Sequence, residues 1–331
     1  MSELDNQIAF RFHLPRYVKI ILFVGLLVGF FFYVPLQDIW RAVLSVDLAF
    51  FIVSALVGLP SFYLGAVRLW LLARRQGIGL SVLQLFGINL VVRFYSFFSP
   101  ASVIGGAMRW YKLSSGGKAA EALTTVTFNR AFDLFLAIIA GLFWAMAGIS
   151  REVLQPSIFV LLLVMIILGW LAVTRASSSL ARLAVTKSEA TEKWLLKKAF
   201  SFLGRLFNSA SVYADFSAPE LLALGSAGFA SELISLLGYV LLARALHISL
   251  SIVDLGWMRS LFFLAALAPF TLVGGFGLRE VSVVMVMSAF GVNPDLAVSF
   301  SFLLYARTAL LSSIGGMVEL ISMIRLHLPS N

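Results

Sequence analysis

The stretch FSPASVIGGAMRW, Phe98 to Trp110, sets a proline, a glycine pair and an arginine in the middle of a long apolar region. A plain membrane helix has no use for them. Proline removes a backbone donor, glycine lets the chain turn, and a guanidinium at the centre of a bilayer costs about 2.5–3.5 kcal/mol. The surroundings are nevertheless those of a membrane protein. Of 331 residues, 60% are hydrophobic and 12% charged, and the mean hydropathy of +0.97 lies beyond that of a soluble domain of this length. Apolar runs of about twenty residues, rather than alternating segments of about ten, predict helices and not a barrel.

Six spanning helices are predicted, over Val18–Pro35, Leu48–Leu72, Ala122–Gly148, Val153–Thr174, Pro219–Ala243 and Leu296–Met317. Two further apolar stretches, Val82–Tyr111 and Leu255–Phe290, are interrupted midway by proline and glycine clusters, as re-entrant helical hairpins that enter and leave on one side would be. The expected fold is therefore an all-α polytopic membrane protein, one transmembrane domain over 1–331. The N-terminal segment mixes acids with bases, and no small-residue cleavage site follows the first apolar run, which is expected to stay as an uncleaved helix.

The net charge of +9 points to membrane topology and not to nucleic acid, because the excess lies in loops beside apolar runs. With both termini inside, fifteen of the 25 lysines and arginines fall in inside segments, against Arg41, Arg151 and Arg244 outside. That bias predicts a multi-pass plasma (inner) membrane protein with cytoplasmic termini. The polar stretch 175–218 is a cytoplasmic linker. Within it, Leu195, Leu196, Ala199, Leu203, Leu206 and Phe207 recur at helical spacing, with Lys193, Lys197, Lys198 and Arg205 on other faces. This predicts an amphipathic helix, suited to an anionic membrane surface or to a plain linker.

The opening stretch has a second copy. From Pro100, Gly105 and Gly106 lie five and six residues on and Arg109 nine; from Pro269, Gly274 and Gly275 lie five and six on and Arg279 ten, with Gly277 between. Downstream, Arg130 and Arg307 each stand in the next helix, so the offsets are 169 between prolines and 177 between arginines. Self-similarity of this kind marks an internal duplication. The first unit, 48–148, starts outside and the second, 219–318, inside, so the repeats are inverted; transporters built this way bind near the midplane, where interrupted helices of the two halves meet. The clusters then serve as helix breaks or hinges whose free amides suit an anion, although glycine pairs in membranes also serve close helix packing.

Seven arginines (68, 93, 109, 130, 259, 279 and 307) fall within or beside the apolar segments. Arg68, near an inside end, is expected to snorkel. Asp133, three residues after Arg130, shares its helix face; Glu232 is the expected partner of Arg307, and Glu280 follows Arg279. Such pairs fit structural neutralisation as well as ligand binding. Arg93 and Arg109 have no acid within four residues and are placed to meet an anion, for which the two parallel donors of guanidinium suit phosphate.

The clusters resemble those of the lysylphosphatidylglycerol synthase transmembrane-domain family, also described as flippase-like integral membrane proteins. The resemblance rests on the cluster before Arg109, the NRAFD stretch around Arg130 and Asp133, and PFTLVGGFGLRE from Pro269 to Glu280. It implies a lipid translocase, here expected as a stand-alone member without the soluble aminoacyl-transferase domain. Where many members of that family carry acids this chain has Ala107 and Asn129, so an aminoacylated lipid is not expected. The expectation is a translocase for a phosphate-bearing anionic lipid, a phospholipid or one of polyprenyl-phosphate type. Its substrate-binding residues are Arg93, Arg109, Arg130, Asp133, Glu232, Arg279, Glu280 and Arg307. The alternative is a secondary transporter of a small soluble anion. No Walker loop is present, His13, His247 and His327 are scattered, and there are no cysteines, so no enzyme, cofactor or metal is expected.

Overall fold

The computed structural model describes residues 46–98, 103–148, 156–189, 194–266 and 278–325, together with 37, 40, 41 and 44. Among these residues the chain is helical and has no strand. The helices are α1 (Leu48–Leu56), α2 (Gly58–Arg75), α3 (Val82–Phe97), α4 (Val103–Leu113), α5 (Ala119–Gly148), α6 (Pro156–Glu189), α7 (Trp194–Ser211), α8 (Ala218–Ala245), α9 (Ile252–Ala266), α10 (Leu278–Ala289) and α11 (Pro294–Arg325). Four are long and apolar enough to cross a membrane: Leu48–Arg75, which joins α1 to α2, Ala119–Gly148, Ala218–Ala245 and Pro294–Ile324. The expected span Val18–Pro35 lies outside the described residues. Most of the expected Val153–Thr174 lies on α6, which at about 1.5 Å per residue runs on well beyond a bilayer.

The two legs of the first interrupted stretch are α3 and α4, packed against each other. Pro100 lies outside the described residues. Gly105 and Gly106, expected at the break, belong instead to α4. A Cβ on Gly105 would collide with the Ser96 hydroxyl of α3, so this glycine serves the close approach of the legs. In the second stretch α9 and α10 flank a segment that holds Pro269, Gly274, Gly275 and Gly277, all outside the described residues.

The centre of the molecule is the crossing of Leu48–Arg75 with α8, which runs antiparallel to it. At one end the backbone N–H of Asp47 donates to Ala245 O at 3.3 Å; at the other, Arg75 Nε donates to Glu220 Oε1 at 2.9 Å. Midway, the hydroxyls of Ser61 and Ser231 lie 2.9 Å apart, and each stands 3.2 Å from the other residue's carbonyl oxygen. A serine buried among apolar helices needs such an acceptor, because no water is there to supply one.

Ser61 and Ser231 are 170 residues apart, and the same offset recurs. After α2, Gly77 takes φ +67° and Ile78 N donates to Ala73 O; after α8, His247 takes φ +55° and Ile248 N donates to Ala243 O. Ser81 then caps α3 through Gln84, and the Ser251 hydroxyl bonds Asp254 at 2.6 Å and accepts from its N–H at 3.1 Å. Each leg next packs along a long helix of the other half, α3 on α11 and α9 on α5. At the contacts, Gly315 of α11 meets the Leu90 backbone, and a Cβ on Gly141 of α5 would stand 2.8 Å from the Cβ of Ser260.

The linker folds back on the membrane helices. As expected from its spacing, 194–211 is helical; α7 packs along the extension of α6, where Gly204 faces Val185 and Ala181. The short 3-10 turn after it buries Tyr213, whose hydroxyl lies 3.1 Å from that of Thr125 and donates to Leu72 O at 3.4 Å. Burial pushes this phenol up to about 12, so it stays a donor at neutral pH.

Gly315→Ala sets a methyl against a carbonyl oxygen that cannot move without its helix. Its expected cost is about 1–3 kcal/mol, read as a lowered melting temperature of the detergent-solubilised protein. Gly225→Ala, where a Cβ meets nothing within 4 Å, leaves that temperature unchanged.

Candidate functional site

The intramembrane arginines form two groups. In the first, Arg68 on α2 reaches α5, where it ion-pairs with Asp133, and its Nε donates to Asn129 Oδ1 at 3.3 Å. Asn129 Nδ2 donates in turn to Asp133 Oδ2 at 3.2 Å, and the Arg68 guanidinium lies 5.5 Å over the Phe132 ring. Arg68 was expected to snorkel to the interface. It is 7% exposed instead, because a carboxylate, an amide oxygen and an aromatic face meet its needs inside the bundle. Arg130 shares a helix with Asp133 as expected, but the ion pair goes to Arg68. On α4, Arg109 lies within electrostatic reach of Arg130, Asp133 and Arg68, and its buried Nε has no hydrogen-bond partner.

The second group gathers around the central crossing. Glu232 of α8 does not pair with Arg307 as expected. It ion-pairs with Arg259 of α9, whose Nε also donates to Ser235 Oγ at 3.0 Å. Arg307, 8% exposed, lays its guanidinium against Gly238, where a Cβ would stand 2.6 Å from Cζ, and one Nη lies 3.7 Å from the Cβ position of Gly58. Its Nε has no hydrogen-bond partner. Beside it, Arg93 of α3 donates to Thr308 Oγ1 at 3.3 Å and sits 5.6 Å over the Phe62 ring. Arg279 and Glu280 lie on α10, and their side chains are outside the described residues.

A cavity of about 470 Å³ opens at the end of the bundle that carries Lys112. It lies between α3, α4 and α11, with Gln84, Ile88, Tyr111, Ser115, Val318 and Ser322 on its walls. The Lys112 ammonium bonds Glu319 at 2.7 Å, and the Glu319 side chain, 4% exposed, also accepts from the Tyr95 hydroxyl at 3.4 Å. Sequence reading counted Lys112 only toward topology and passed over Glu319, which stands 207 residues away. It also set Arg259 among the seven intramembrane arginines without giving it a partner, since Glu232 is 27 residues off.

Apolar spans that bury Arg68 and Arg307 define an integral membrane protein that keeps charge inside its helix bundle. The chain belongs to the family described as the lysylphosphatidylglycerol synthase TM region, which matches residues 18–316. That family is concerned with lipids in membranes. No curated protein and no solved structure matches the chain.

The partnering of Glu232 is open to a double-mutant cycle on thermal stability. Glu232→Gln combined with Arg259→Gln is expected to show a coupling of at least about 1 kcal/mol, and Glu232→Gln with Arg307→Gln less than about 0.5 kcal/mol.

Proposed function

We propose that the protein is a translocase that moves a phosphate-bearing anionic lipid between leaflets, with the headgroup passing through a cationic interior while the tails stay in the bilayer. The observation that carries this reading is a pair of arginines among apolar helices, Arg307 buried and Arg109 half-buried, each with a buried Nε that has no hydrogen-bond partner, in a chain of a lipid-related membrane family. A guanidinium so placed is costly unless an anion visits it, and phosphate matches its two parallel donors.

The proposed architecture is an inverted repeat of 48–148 and 219–318, within six spanning helices and two re-entrant hairpins. It is supported by the matched turns, the matched caps and the reciprocal serine pair at an offset of 170, on helices that run antiparallel. Residues so related lie at mirrored depths, which suits alternating access to a shared centre. Arg93, Arg109, Arg130, Asp133, Glu232, Arg279, Glu280 and Arg307 bind the headgroup or orient the groups that do. Both termini face the cytoplasm in the inner membrane, and the linker with α7 lies near the anionic leaflet. The reading includes no chemical transformation of the lipid.

In vesicles reconstituted with the full chain and a headgroup-accessible fluorescent anionic phospholipid, Arg109→Ala, Arg279→Ala and Arg307→Ala should each slow leaflet transfer by at least about tenfold with unchanged melting temperature. Wild-type rates in all three well-folded variants would defeat the assignment.

A further inference from the structure

The cavity at the Lys112 end of the bundle has a chemistry of its own, apart from both arginine groups. From Arg307 to Glu319 along α11 is 12 residues, about 18 Å. At about 470 Å³ the cavity falls within the range of about 300–1,000 Å³ usual for small-molecule sites. Its depth is that of a lipid headgroup. Glu319 stands five residues before Ile324, where a membrane-long helix ends, and Gln84 two residues after α3 begins at Val82. Next to these wall residues Leu83, Leu320 and Ile321 are exposed, as apolar side chains that meet acyl tails are.

The groups on the walls decide which headgroup fits. Among the described residues there, Lys112 and Glu319 are the only charged ones, and their charges cancel. Glu319 is the more enclosed of the two. Its side chain is 4% exposed against 22% for Lys112, and the hydroxyl of the fully buried Tyr95 donates to it at 3.4 Å. Ser114, Ser115 and Ser322 each donate to the carbonyl oxygen three residues back, at 3.0, 3.1 and 2.7 Å, so what these hydroxyls have left to offer a ligand is an acceptor oxygen. An anion alone would take Lys112 and strand a buried carboxylate; a cation alone would take Glu319 and strand the ammonium. A zwitterion leaves both satisfied. Its ammonium replaces that of Lys112 at Glu319, with serine oxygens as further acceptors, and its phosphate receives the Lys112 ammonium so released.

We propose that this cavity binds the zwitterionic headgroup of an aminophospholipid, a primary ammonium joined by a short chain to a phosphodiester, with Glu319 at the ammonium and Lys112 at the phosphate. The ligand then stands between α4 and α11 in place of their direct ion pair. The site does not depend on the translocase reading, since none of the intramembrane arginines takes part in it.

The test titrates the full chain in detergent by calorimetry, at a pH of about 7, where ammonium and phosphodiester are both charged. The probes are dihexanoyl phosphatidylethanolamine, phosphatidylcholine and phosphatidylglycerol with the same tails, and free phosphoethanolamine. The ethanolamine lipid is expected to bind at least about tenfold more tightly than the other two lipids, because a quaternary ammonium has no N–H to donate and a glycerol headgroup has no cation. Glu319→Gln should bring its affinity down to theirs. Should that variant not fold, Lys112→Gln replaces it: Glu319 is left without an ammonium, and the lowered melting temperature is expected to recover with ethylammonium but not with tetramethylammonium at the same concentration. Equal binding of the ethanolamine and choline lipids, an ethanolamine preference that survives Glu319→Gln, or rescue by both amines or by neither overturns the site. Phosphatidylglycerol binding as tightly as phosphatidylethanolamine overturns the zwitterion. Free phosphoethanolamine binding as tightly as the lipid keeps the zwitterion and overturns the lipid. Leaflet transfer by the Arg109→Ala and Arg307→Ala variants is untouched by any of these results, so the two readings fail separately.

Discussion

The antiparallel crossing of Leu48–Arg75 with Ala218–Ala245 is the constraint on which the rest of the structure depends. Two helices can lie close in lipid only where small residues permit it, and any hydroxyl at such a contact has to find a protein acceptor. Ser61 and Ser231 meet both conditions for each other. Gly58 and Gly228, also 170 apart, extend the same logic outward: the first admits Leu311 and Arg307, the second Leu136 and Phe132. Once these contacts are fixed, the long helices α11 and α5 are held against the opposite halves, and the hairpin legs α3 and α9 follow them through Gly315 and Gly141.

The same packing decides the fate of the buried charges. A helix-local pair such as Arg130 with Asp133 would leave both groups on one surface, solvated by whatever faces it. The bundle instead draws each carboxylate to an arginine on another helix, Asp133 to Arg68 and Glu232 to Arg259. Bringing a second helix to each carboxylate adds a hydrogen bond that the arginine donates, to Asn129 in one case and to Ser235 in the other. Breaking a pair of this kind strands a charge, so the pairs hold helices in register while the arginines left over give the interior its sign.

Much of this was legible in the sequence and some of it was not, for definite reasons. Length and hydropathy of the apolar runs are properties of single segments, so the helical membrane fold, the hairpin legs and the helix in the linker could be read directly. The proposed duplication was read from proline, glycine and arginine clusters, yet the most regular match is quieter: ARRQGIGLSVLQ from Ala73 and ARALHISLSIVD from Ala243, aligned turn for turn and cap for cap at an offset of 170. His247 hides the match, since it takes the left-handed backbone that Gly77 takes by default. The ion pairs were not legible, because partners 27 to 207 residues apart are set by helix crossing and not by spacing. Gly105 looked like part of a break and proved to be a contact, a distinction that only the neighbouring Ser96 could make.

The two ends of the bundle differ where matched halves would make them alike. Trp144 stands near the end of α5 and Glu319 near the end of α11. At one end, Trp144 lies against Gly256 and Gly148 against Val253, an apolar seal between α5 and α9. At the other, Glu319 holds Lys112 across α11 and α4 beside a cavity with room for several waters. An apolar seal is indifferent to charge and weakens only by losing contact area. The ion pair between Lys112 and Glu319 holds its end through opposite charge instead. The packing is thus closed by contact area between α5 and α9 and by opposite charge between α11 and α4.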